Sequence, residues 1–135
     1  MWSMVLFVFE WATQAPSLVD MSVPMTGKHV IITGGCAGIG EELATIMVAA
    51  GASVVLGCRD AIKADAAVER IRAASARSAN GAGQMGEIEQ MRLDLASFKS
   101  VRHFASQYAE NYDTLDVLVN NAGLGFRVWG LVFRL

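Results

Sequence analysis

Metal-binding side chains are scarce in this chain, which has two cysteines and two histidines. Cys36 and Cys58 match no zinc-ligand spacing and no disulfide framework, and the spacing of His29 and His103 suggests no metal pair. The sequence therefore predicts that no metal is bound. We expect the cysteines to be small buried residues in a reducing, cytoplasmic compartment, and a redox switch is the alternative.

Strong net charge and long apolar runs are also absent. A net charge of -2 at pH 7 gives no electrostatic reason to expect a nucleic-acid partner. The apolar stretch at residues 1–9 is about half as long as the roughly 20 residues that span a bilayer, and it lacks the basic region of a secretory signal. We expect residues 1–25 to be an irregular extension with weak membrane contact, in preference to a transmembrane anchor or a signal peptide.

Segments typical of strands and helices alternate from residue 28 onward. Four segments, at residues 29–33, 53–57, 87–93 and 115–120, predict strands. A helix with Ile39, Leu43, Ile46, Met47 and Ala50 on one face is expected after the first strand; Asp60 and Ser97 would cap the next two helices. The pattern predicts one α/β domain with a Rossmann-like three-layer fold. Its partial parallel sheet would have strand order 3-2-1-4 and end before the later strands.

The segment Thr33-Gly34-Gly35-Cys36-Ala37-Gly38-Ile39-Gly40 joins the first predicted strand to the first predicted helix. Glycine adopts positive φ readily and lets a ligand approach the main chain closely. The N–H groups and the dipole at the start of the helix favour an anion at the same point. The segment therefore predicts a phosphate-binding turn, and the expected anion is the pyrophosphate of a dinucleotide.

Three further motifs follow this turn in order. They are Cys58-Arg59-Asp60 at the end of the second predicted strand, Leu93-Asp94-Leu95 at the end of the third and Asn120-Asn121-Ala122-Gly123 at the end of the fourth. Together with the turn they resemble the short-chain dehydrogenase/reductase family, whose pattern includes T-G-x-x-x-G-x-G, an Asp-Leu/Val pair and N-N-A-G. The details look most like its retinol-dehydrogenase and WW-domain-oxidoreductase branch, although no WW domain is present. The resemblance covers residues 25–123 and implies a nucleotide-binding half-domain at residues 26–123.

The resemblance implies a role for each motif. The pyrophosphate would lie on the turn, whose expected binding residues are Thr33, Gly34, Cys36, Ala37, Gly38, Ile39 and Gly40. Asp94 would accept a hydrogen bond from the adenine amino group, and Leu95 would line the adenine pocket. Asp94 taken alone would be interpreted as a helix-capping acid.

The N-N-A-G motif would lie beside the adenosine ribose. Asn120, Ala122 and Gly123 would bring the main chain close to the sugar, while an asparagine side chain braces the sheet toward Thr33. These roles are implied by the resemblance.

Arg59 decides which dinucleotide is expected. An acidic residue at the end of the second strand would hold the ribose 2′-hydroxyl of NAD, but Arg59 stands there and the first acid is Asp60. A guanidinium forms charge-assisted, often bidentate hydrogen bonds with a phosphate. NADP is therefore favoured over NAD, although Ala37 offers no second basic contact. The alternative is that Arg59 is a solvated charge at the start of a helix.

The family's catalytic residues are missing from this sequence. Its members use a Tyr-x-x-x-Lys pair, in which Tyr is the acid/base, together with an upstream Ser. The lysines here are Lys28, Lys63 and Lys99, and none has a tyrosine four residues before it. In the family these residues follow N-N-A-G, whereas this chain continues for twelve residues after Gly123 in an apolar segment, 124–135, that looks atypical of the family.

We therefore expect the cofactor-binding part of an NADP-dependent oxidoreductase that acts on alcohols or carbonyls, without catalytic residues of its own. The alternatives are a non-catalytic nucleotide-binding or interaction module and an inactive truncated gene product. Without later strands, the fourth strand would be an unpaired sheet edge. The isolated chain is thus expected to self-associate through that edge.

Overall fold

The computed structural model describes residues 24–78 and 85–123, which form four strands and three helices. In chain order the elements are β1 (His29–Thr33), α1 (Gly38–Ala49), β2 (Ser53–Cys58), α2 (Ala61–Ser78), β3 (Ile88–Arg92), α3 (Phe98–Asn111) and β4 (Val117–Val119). The predicted alternation of strands and helices is confirmed. The N-terminal extension up to residue 23 and the segment 124–135 lie outside the described residues, so the predictions for them stay predictions.

The four strands form one parallel sheet in the order β3-β2-β1-β4, as the sequence predicted. Thr33 at the end of β1 is in register with Gly57 of β2, and Ile32 is in register with Val119 of β4. Because all the strands point the same way, the segments that follow them leave the sheet at one edge. The glycine-rich turn and the three other motifs therefore meet at this carboxyl edge.

Helices cover both faces of the sheet, which makes the fold three-layered. Ile32 and Leu56 face α1 and α2 in the larger buried cluster, whereas Ile31 and Val55 face the side chains of Phe104 and Tyr108 in the smaller one. Successive side chains of a strand point to opposite faces. The two central strands are buried on both faces, and this is why β1 and β2 are apolar along nearly their whole length.

The buried face of α1 differs from the predicted one. Its buried residues are Gly40, Ala44 and Val48, whereas Ile39, predicted on the core face, is 82% exposed. Leu43 and Met47 pack against the core but are only partly buried. Small side chains face inward here because the start of α1 lies directly against the main chain of the glycine-rich turn.

The caps predicted for α2 and α3 are confirmed. Asp60 accepts a hydrogen bond from the N–H of Lys63 at 3.1 Å, and Ser97 accepts one from the N–H of Ser100 at 3.3 Å. Phe98, the first residue of α3, is exposed although it is apolar. Six positions of a helix with 3.6 residues per turn place Phe98 and the buried Phe104 about 120° apart around the axis.

The prediction that the cysteines are unpaired was wrong. Cys36 and Cys58 are 22 residues apart in the sequence and form a disulfide, with their Cα atoms 6.5 Å apart. The turn that holds Cys36 follows β1, and Cys58 ends the neighbouring strand β2. The pairing thus comes from strand order, which cysteine spacing does not reveal.

Within residues 24–78 and 85–123, no helix is long and apolar enough to cross a membrane. The same residues contain no group of three or more histidine, cysteine or acidic side chains placed to hold a metal ion.

Candidate functional site

A cavity of about 400 Å³ opens at the carboxyl edge of the sheet. It is lined by residues at or directly after the ends of all four strands: Gly34, Cys36, Gly57, Cys58, Arg59, Leu93, Asp94, Leu95, Ala96, Ala122 and Gly123. Seven of the thirteen residues predicted to bind the cofactor line this cavity, namely Gly34, Cys36, Arg59, Asp94, Leu95, Ala122 and Gly123. The fold thus brings together segments that are distant in the sequence.

The glycine-rich turn bends through two residues in the left-handed region, Gly34 with φ of 67° and Gly38 with φ of 59°. L side chains rarely adopt this conformation. A Cβ on Gly34 would come within 2.8 Å of the Cα of Ala122, whereas a Cβ on Gly38 would meet nothing within 4 Å among the described atoms. Gly34 therefore permits a close approach of two main-chain segments, and Gly38 leaves open space at the start of α1.

The third glycine of the turn lets α1 lie against the turn. Gly40 is buried, and a Cβ there would lie 2.5 Å from the Nδ2 atom of Asn121 and 2.9 Å from the carbonyl oxygen of Gly34. No side chain could fit without moving one of these groups. Gly40 thus performs the close-packing role expected of the last glycine in such a turn.

The first turn of α1 is open to an anion from outside. Its N-cap residue is Ala37, in extended conformation. The methyl side chain of Ala37 cannot accept a hydrogen bond from the N–H groups of the first helical turn. The exposed side chain of Ile39 follows Gly38 on this turn. Unpaired N–H donors and the positive end of the helix dipole favour a phosphate oxygen here.

Four hydrogen bonds join the N-N-A-G motif to the start of the glycine-rich turn, three to Thr33 and one to Gly34. The hydroxyl of Thr33 accepts from the N–H groups of Asn121 at 3.1 Å and of Ala122 at 3.0 Å. The side-chain amide of Asn121 donates to the carbonyl oxygens of Thr33 at 3.1 Å and of Gly34 at 3.2 Å. The bracing asparagine is therefore Asn121, which was not among the predicted site residues, while Asn120 is exposed.

Arg70 on α2 is a second residue that the sequence reasoning missed. Its Nη2 atom donates to the carbonyl oxygen of Cys36 at 3.3 Å, and its guanidinium forms a two-point contact with the carboxylate of Glu41 at 2.7 and 2.9 Å. The hydrogen bond from Arg70 lowers the pKa of Glu41 below its ordinary value. A carboxylate in the first turn of α1 is thereby neutralised by a partner 29 residues away in sequence.

Asp94 forms local hydrogen bonds of the kind expected for a capping acid. Its carboxylate accepts from the N–H of Ala96 at 3.0 Å, and its own N–H donates to the hydroxyl of Ser100 at 2.9 Å. The contacts fix the direction of the segment after β3. The same segment carries Leu95, more than half exposed, at the rim of the cavity.

The two tyrosines lie away from this cavity and have structural partners. Tyr108 is buried under the sheet and donates its hydroxyl to the carbonyl oxygen of Thr114 at 2.9 Å, and its ring stacks on Tyr112. Burial, and next the charge of Asp116, raise the pKa of Tyr108. A second cavity, of about 570 Å³, lies between β3 and α3 and shares only Asp94 with the first.

Fold and site together define a Rossmann-type α/β domain whose glycine-rich turn contributes Gly34 and Cys36 to a cavity at the carboxyl edge of a parallel sheet. The sequence profile of the short chain dehydrogenases matches residues 28–129, about three quarters of the chain. The chain therefore belongs to the short-chain dehydrogenase/reductase family.

Individual relatives are similar over the same part of the chain. Human retinol dehydrogenase 14 is 40% identical over 105 residues, which cover 74% of this chain and 31% of that protein. A metagenomic short-chain oxidoreductase in complex with NADP has a TM-score of 0.63 at 35% identity, covering 75% of this chain and 41% of the other. RhlG of Pseudomonas aeruginosa, in an NADP active-site complex, has a TM-score of 0.64 at 30% identity, covering 78% and 38%. The chain thus spans about a third of the length of the curated relatives it matches.

Proposed function

We propose that this chain forms the nucleotide-binding part of a short-chain dehydrogenase/reductase and that it binds NADP in the cavity at the carboxyl edge of the sheet. The observation that carries the proposal is the position of the glycine-rich turn. Gly34 and Cys36 of the turn line a cavity that the other family motifs also line, and α1 begins two residues after Cys36. Such a turn binds the pyrophosphate of a dinucleotide through main-chain N–H groups.

The residues present fit a dinucleotide. Gly38 leaves open the space where a Cβ would otherwise stand between a phosphate and the main chain. The cavity of about 400 Å³ extends from Gly34 to Asp94 and Leu95, where the adenine base would lie. The adenine base and the ribose of an adenosine group need a largely apolar site with a few polar groups at fixed positions. Leu95 and Ala96 supply the apolar surface, and the carboxylate of Asp94 supplies the polar group.

Arg59 supports NADP in preference to NAD. It is exposed, lines the cavity and follows directly after the last residue of β2. The ribose 2′ position of a bound dinucleotide lies beside the end of this strand. A guanidinium at this point would pair with the 2′-phosphate, and the two solved relatives named above are complexes with NADP.

The reaction proposed for the whole protein is hydride transfer between the bound nicotinamide and an alcohol or carbonyl. The nicotinamide supplies the hydride chemistry. The sequence contains no Tyr-x-x-x-Lys pair to move the substrate proton. This observation favours a second candidate for the 135 residues, a nucleotide-binding module that holds NADP and catalyses no reaction of its own.

Calorimetric titration of the purified chain with NADPH and with NADH, in the presence of a dithiol reductant, tests the proposal. We expect heat of binding with NADPH and an affinity at least tenfold lower for NADH, because one charge-assisted hydrogen bond contributes about 1.5–3 kcal/mol. No binding of either dinucleotide would overturn the proposal. Hydride transfer can be tested in the same samples from NADPH absorbance with a panel of aldehydes, and we expect none from this chain.

The substitution Arg59→Asp tests the cofactor preference separately. It should weaken NADPH binding by tenfold or more and strengthen NADH binding, because a carboxylate repels the 2′-phosphate and accepts from the 2′-hydroxyl. Arg102→Asp is the matched control, since Arg102 is an exposed arginine of α3 that does not line the cavity. If Arg59→Asp leaves the ratio of the NADPH and NADH affinities unchanged, Arg59 does not contact the 2′-phosphate.

A further inference from the structure

The two cysteines of the chain stand on opposite sides of one gap at the carboxyl edge of the sheet. Cys36 lies in the glycine-rich turn and Cys58 is the last residue of β2. Their Cα atoms are 6.5 Å apart, which lies within the range of about 4.4–6.8 Å in which a disulfide forms without backbone movement. Because the sequence contains two cysteines in total, no other thiol competes for either partner.

Both cysteines also line the cavity of the proposed dinucleotide site. They do so together with Gly34 of the turn and Arg59 at the end of β2. A bond between them therefore joins the segment expected to hold the pyrophosphate to the segment expected to hold the 2′-phosphate. The disulfide therefore constrains the two segments that a dinucleotide must contact at the same time.

The turn also has attachments that are not covalent: the N–H of Gly34 donates to the carbonyl oxygen of Gly57 at 2.9 Å, and the side-chain amide of Asn121 donates to the carbonyl oxygen of Gly34 at 3.2 Å. Arg70 donates to the carbonyl oxygen of Cys36 at 3.3 Å and is itself held by Glu41. A hydrogen bond of this kind allows the turn to adjust when a phosphate arrives, whereas a disulfide does not. The oxidation state of Cys36 and Cys58 therefore decides whether the turn also has a covalent link to β2.

We propose that Cys36 and Cys58 form a reversible thiol–disulfide pair that controls dinucleotide binding, with the dithiol form binding NADP(H) and the disulfide form binding it weakly. This inference rests on the proposed function of the same site. It goes beyond that function because it makes the affinity of the site depend on redox conditions. The disulfide links Cys36 of the turn covalently to Cys58 of β2, so in this form the turn has less freedom to adjust to the pyrophosphate while Arg59 engages the 2′-phosphate.

The oxidation is an exchange with a low-molecular-weight disulfide. The thiolate of Cys36, which is half-buried and hence the more accessible sulfur, attacks one sulfur of that disulfide and releases the first small thiol. The thiol of Cys58, 3% exposed, loses its proton and attacks the sulfur of Cys36, and the second small thiol leaves. Two protein thiols are oxidised and one external disulfide is reduced to two thiols. A dithiol reductant reverses both steps.

Titration of NADPH into the two redox forms of the purified chain tests the inference. One sample is kept in a dithiol reductant and the other is equilibrated with oxidised glutathione and then freed of it, and free thiols are counted in both. We expect two free thiols in the first sample, none in the second, and a dissociation constant for NADPH at least tenfold higher in the second. By linkage, saturating NADPH should then make the midpoint potential of the pair about 30 mV more positive for each tenfold difference in affinity.

Two variants separate the cysteine pair from other effects of the oxidant. Cys58→Ala and Cys36→Ser each remove one partner, so the ratio of the two dissociation constants should fall to about 1 in both. Circular dichroism shows whether each variant is folded, and one folded variant suffices for the comparison. A variant that retains the ratio of the unmodified chain would overturn the inference, because the redox response would then come from another group.

The outcomes distinguish this inference from the proposed function. Equal NADPH affinity in both redox forms, tighter binding by the disulfide form, or two free thiols after treatment with oxidised glutathione would overturn the inference and leave the dinucleotide site intact. Absence of NADPH binding in the reduced chain and in both variants would overturn the proposed function, and the inference with it.

Discussion

Asn121 and Thr33 hold each other through both their side chains and their main chains. The Nδ2 atom of Asn121 donates to the carbonyl oxygen of Thr33 at 3.1 Å, and the hydroxyl of Thr33 accepts from the N–H of Asn121 at 3.1 Å. The pair joins the segment after β4 to the segment after β1, 88 residues earlier. The position of the glycine-rich turn therefore depends on a residue near the end of the described chain.

Replacing Asn121 by alanine should destabilise the fold and displace the turn. The variant leaves the carbonyl oxygens of Thr33 and Gly34 without their side-chain donor, which we expect to lower the free energy of unfolding by about 1–3 kcal/mol. Urea denaturation followed by circular dichroism measures this loss. Asn111→Ala is the control, because Asn111 is an exposed residue whose amide donates to a carbonyl of its own helix. Equal losses in the two variants would contradict the assigned role of Asn121.

Replacing Gly40 by alanine should also lower stability, which is the opposite of the usual effect in a helix. Alanine is normally favoured over glycine inside a helix by about 0.5–1 kcal/mol. Here a Cβ would lie 2.5 Å from the Nδ2 atom of Asn121, so we expect a net loss of about 1–3 kcal/mol in the free energy of unfolding and weaker NADPH binding. Glu42→Ala, at an exposed position of the same helix, is the control and should change the stability by less than about 0.5 kcal/mol. A stabilised Gly40→Ala protein would show that α1 does not press on the turn.

The ion pair of Glu41 and Arg70 should make stability depend on acid. The hydrogen bond from Arg70 lowers the pKa of Glu41 in the folded state, so the pair stabilises the fold above the unfolded-state pKa and loses this contribution as the pH falls through the folded-state pKa. Because Arg70 is about half exposed, solvent screening limits the contribution to about 0.5–1 kcal/mol. In urea denaturation at pH 7 the unmodified chain should be more stable than Glu41→Gln by this amount, and the difference should shrink as the pH falls through the folded-state pKa of Glu41.

A control for the acid effect is Glu42→Gln, the neighbouring exposed glutamate of α1. Glu42 forms no ion pair among the described residues. The free energy of unfolding of Glu42→Gln should therefore change with pH as that of the unmodified chain does. A difference between Glu41→Gln and the unmodified chain that stays constant from pH 7 to pH 3 would mean that the carboxylate acts through packing and not through charge.

The outer edge of β4 should promote self-association of the 135-residue chain. β4 pairs with β1 on one side, and among the described strands none pairs with its other side. Leu118 in the middle of β4 is 52% exposed. An apolar edge with unpaired N–H and C=O groups recruits further strands, so we expect oligomers at micromolar concentration in size-exclusion chromatography. Leu118→Asp should shift the protein toward the monomer.

The comparison for the edge prediction is Ile62→Asp. Ile62 is an equally apolar and more exposed residue, but it lies on α2 and not at a sheet edge. The oligomers should persist in this variant. Elution of the unmodified chain as a monomer would contradict the prediction. Equal dissociation of the oligomers by both substitutions would show that the chains do not associate through the edge of β4.

The fold could be predicted because its signals are local. Apolar β-branched runs such as Val30–Ile32 form strands in almost any α/β setting, and Asp60 and Ser97 form caps with residues three positions away. The order of the strands followed from the right-handed connections that parallel strands require. The face that α1 buries was not predictable in this way, because it depends on how closely Gly40 approaches the turn.

The candidate site was predictable only in part for the same reason. Its motifs stand directly after strands, so their arrival at one edge of the sheet followed from the topology. Asn121, Arg70 and the Cys36–Cys58 disulfide were missed as site features because each acts through a partner more than twenty residues away. No spacing rule within a single segment contains that information.

By itself, the sequence determined the family, the alternation of elements and the position of the glycine-rich turn from Thr33 to Gly40 between β1 and α1, because these depend on residues that are neighbours in the chain. The tertiary structure decided which asparagine braces the turn, which charge neutralises Glu41 and that the two cysteines meet. These contacts form between the ends of different strands and helices, and they exist only once the parallel sheet has brought those ends to one edge.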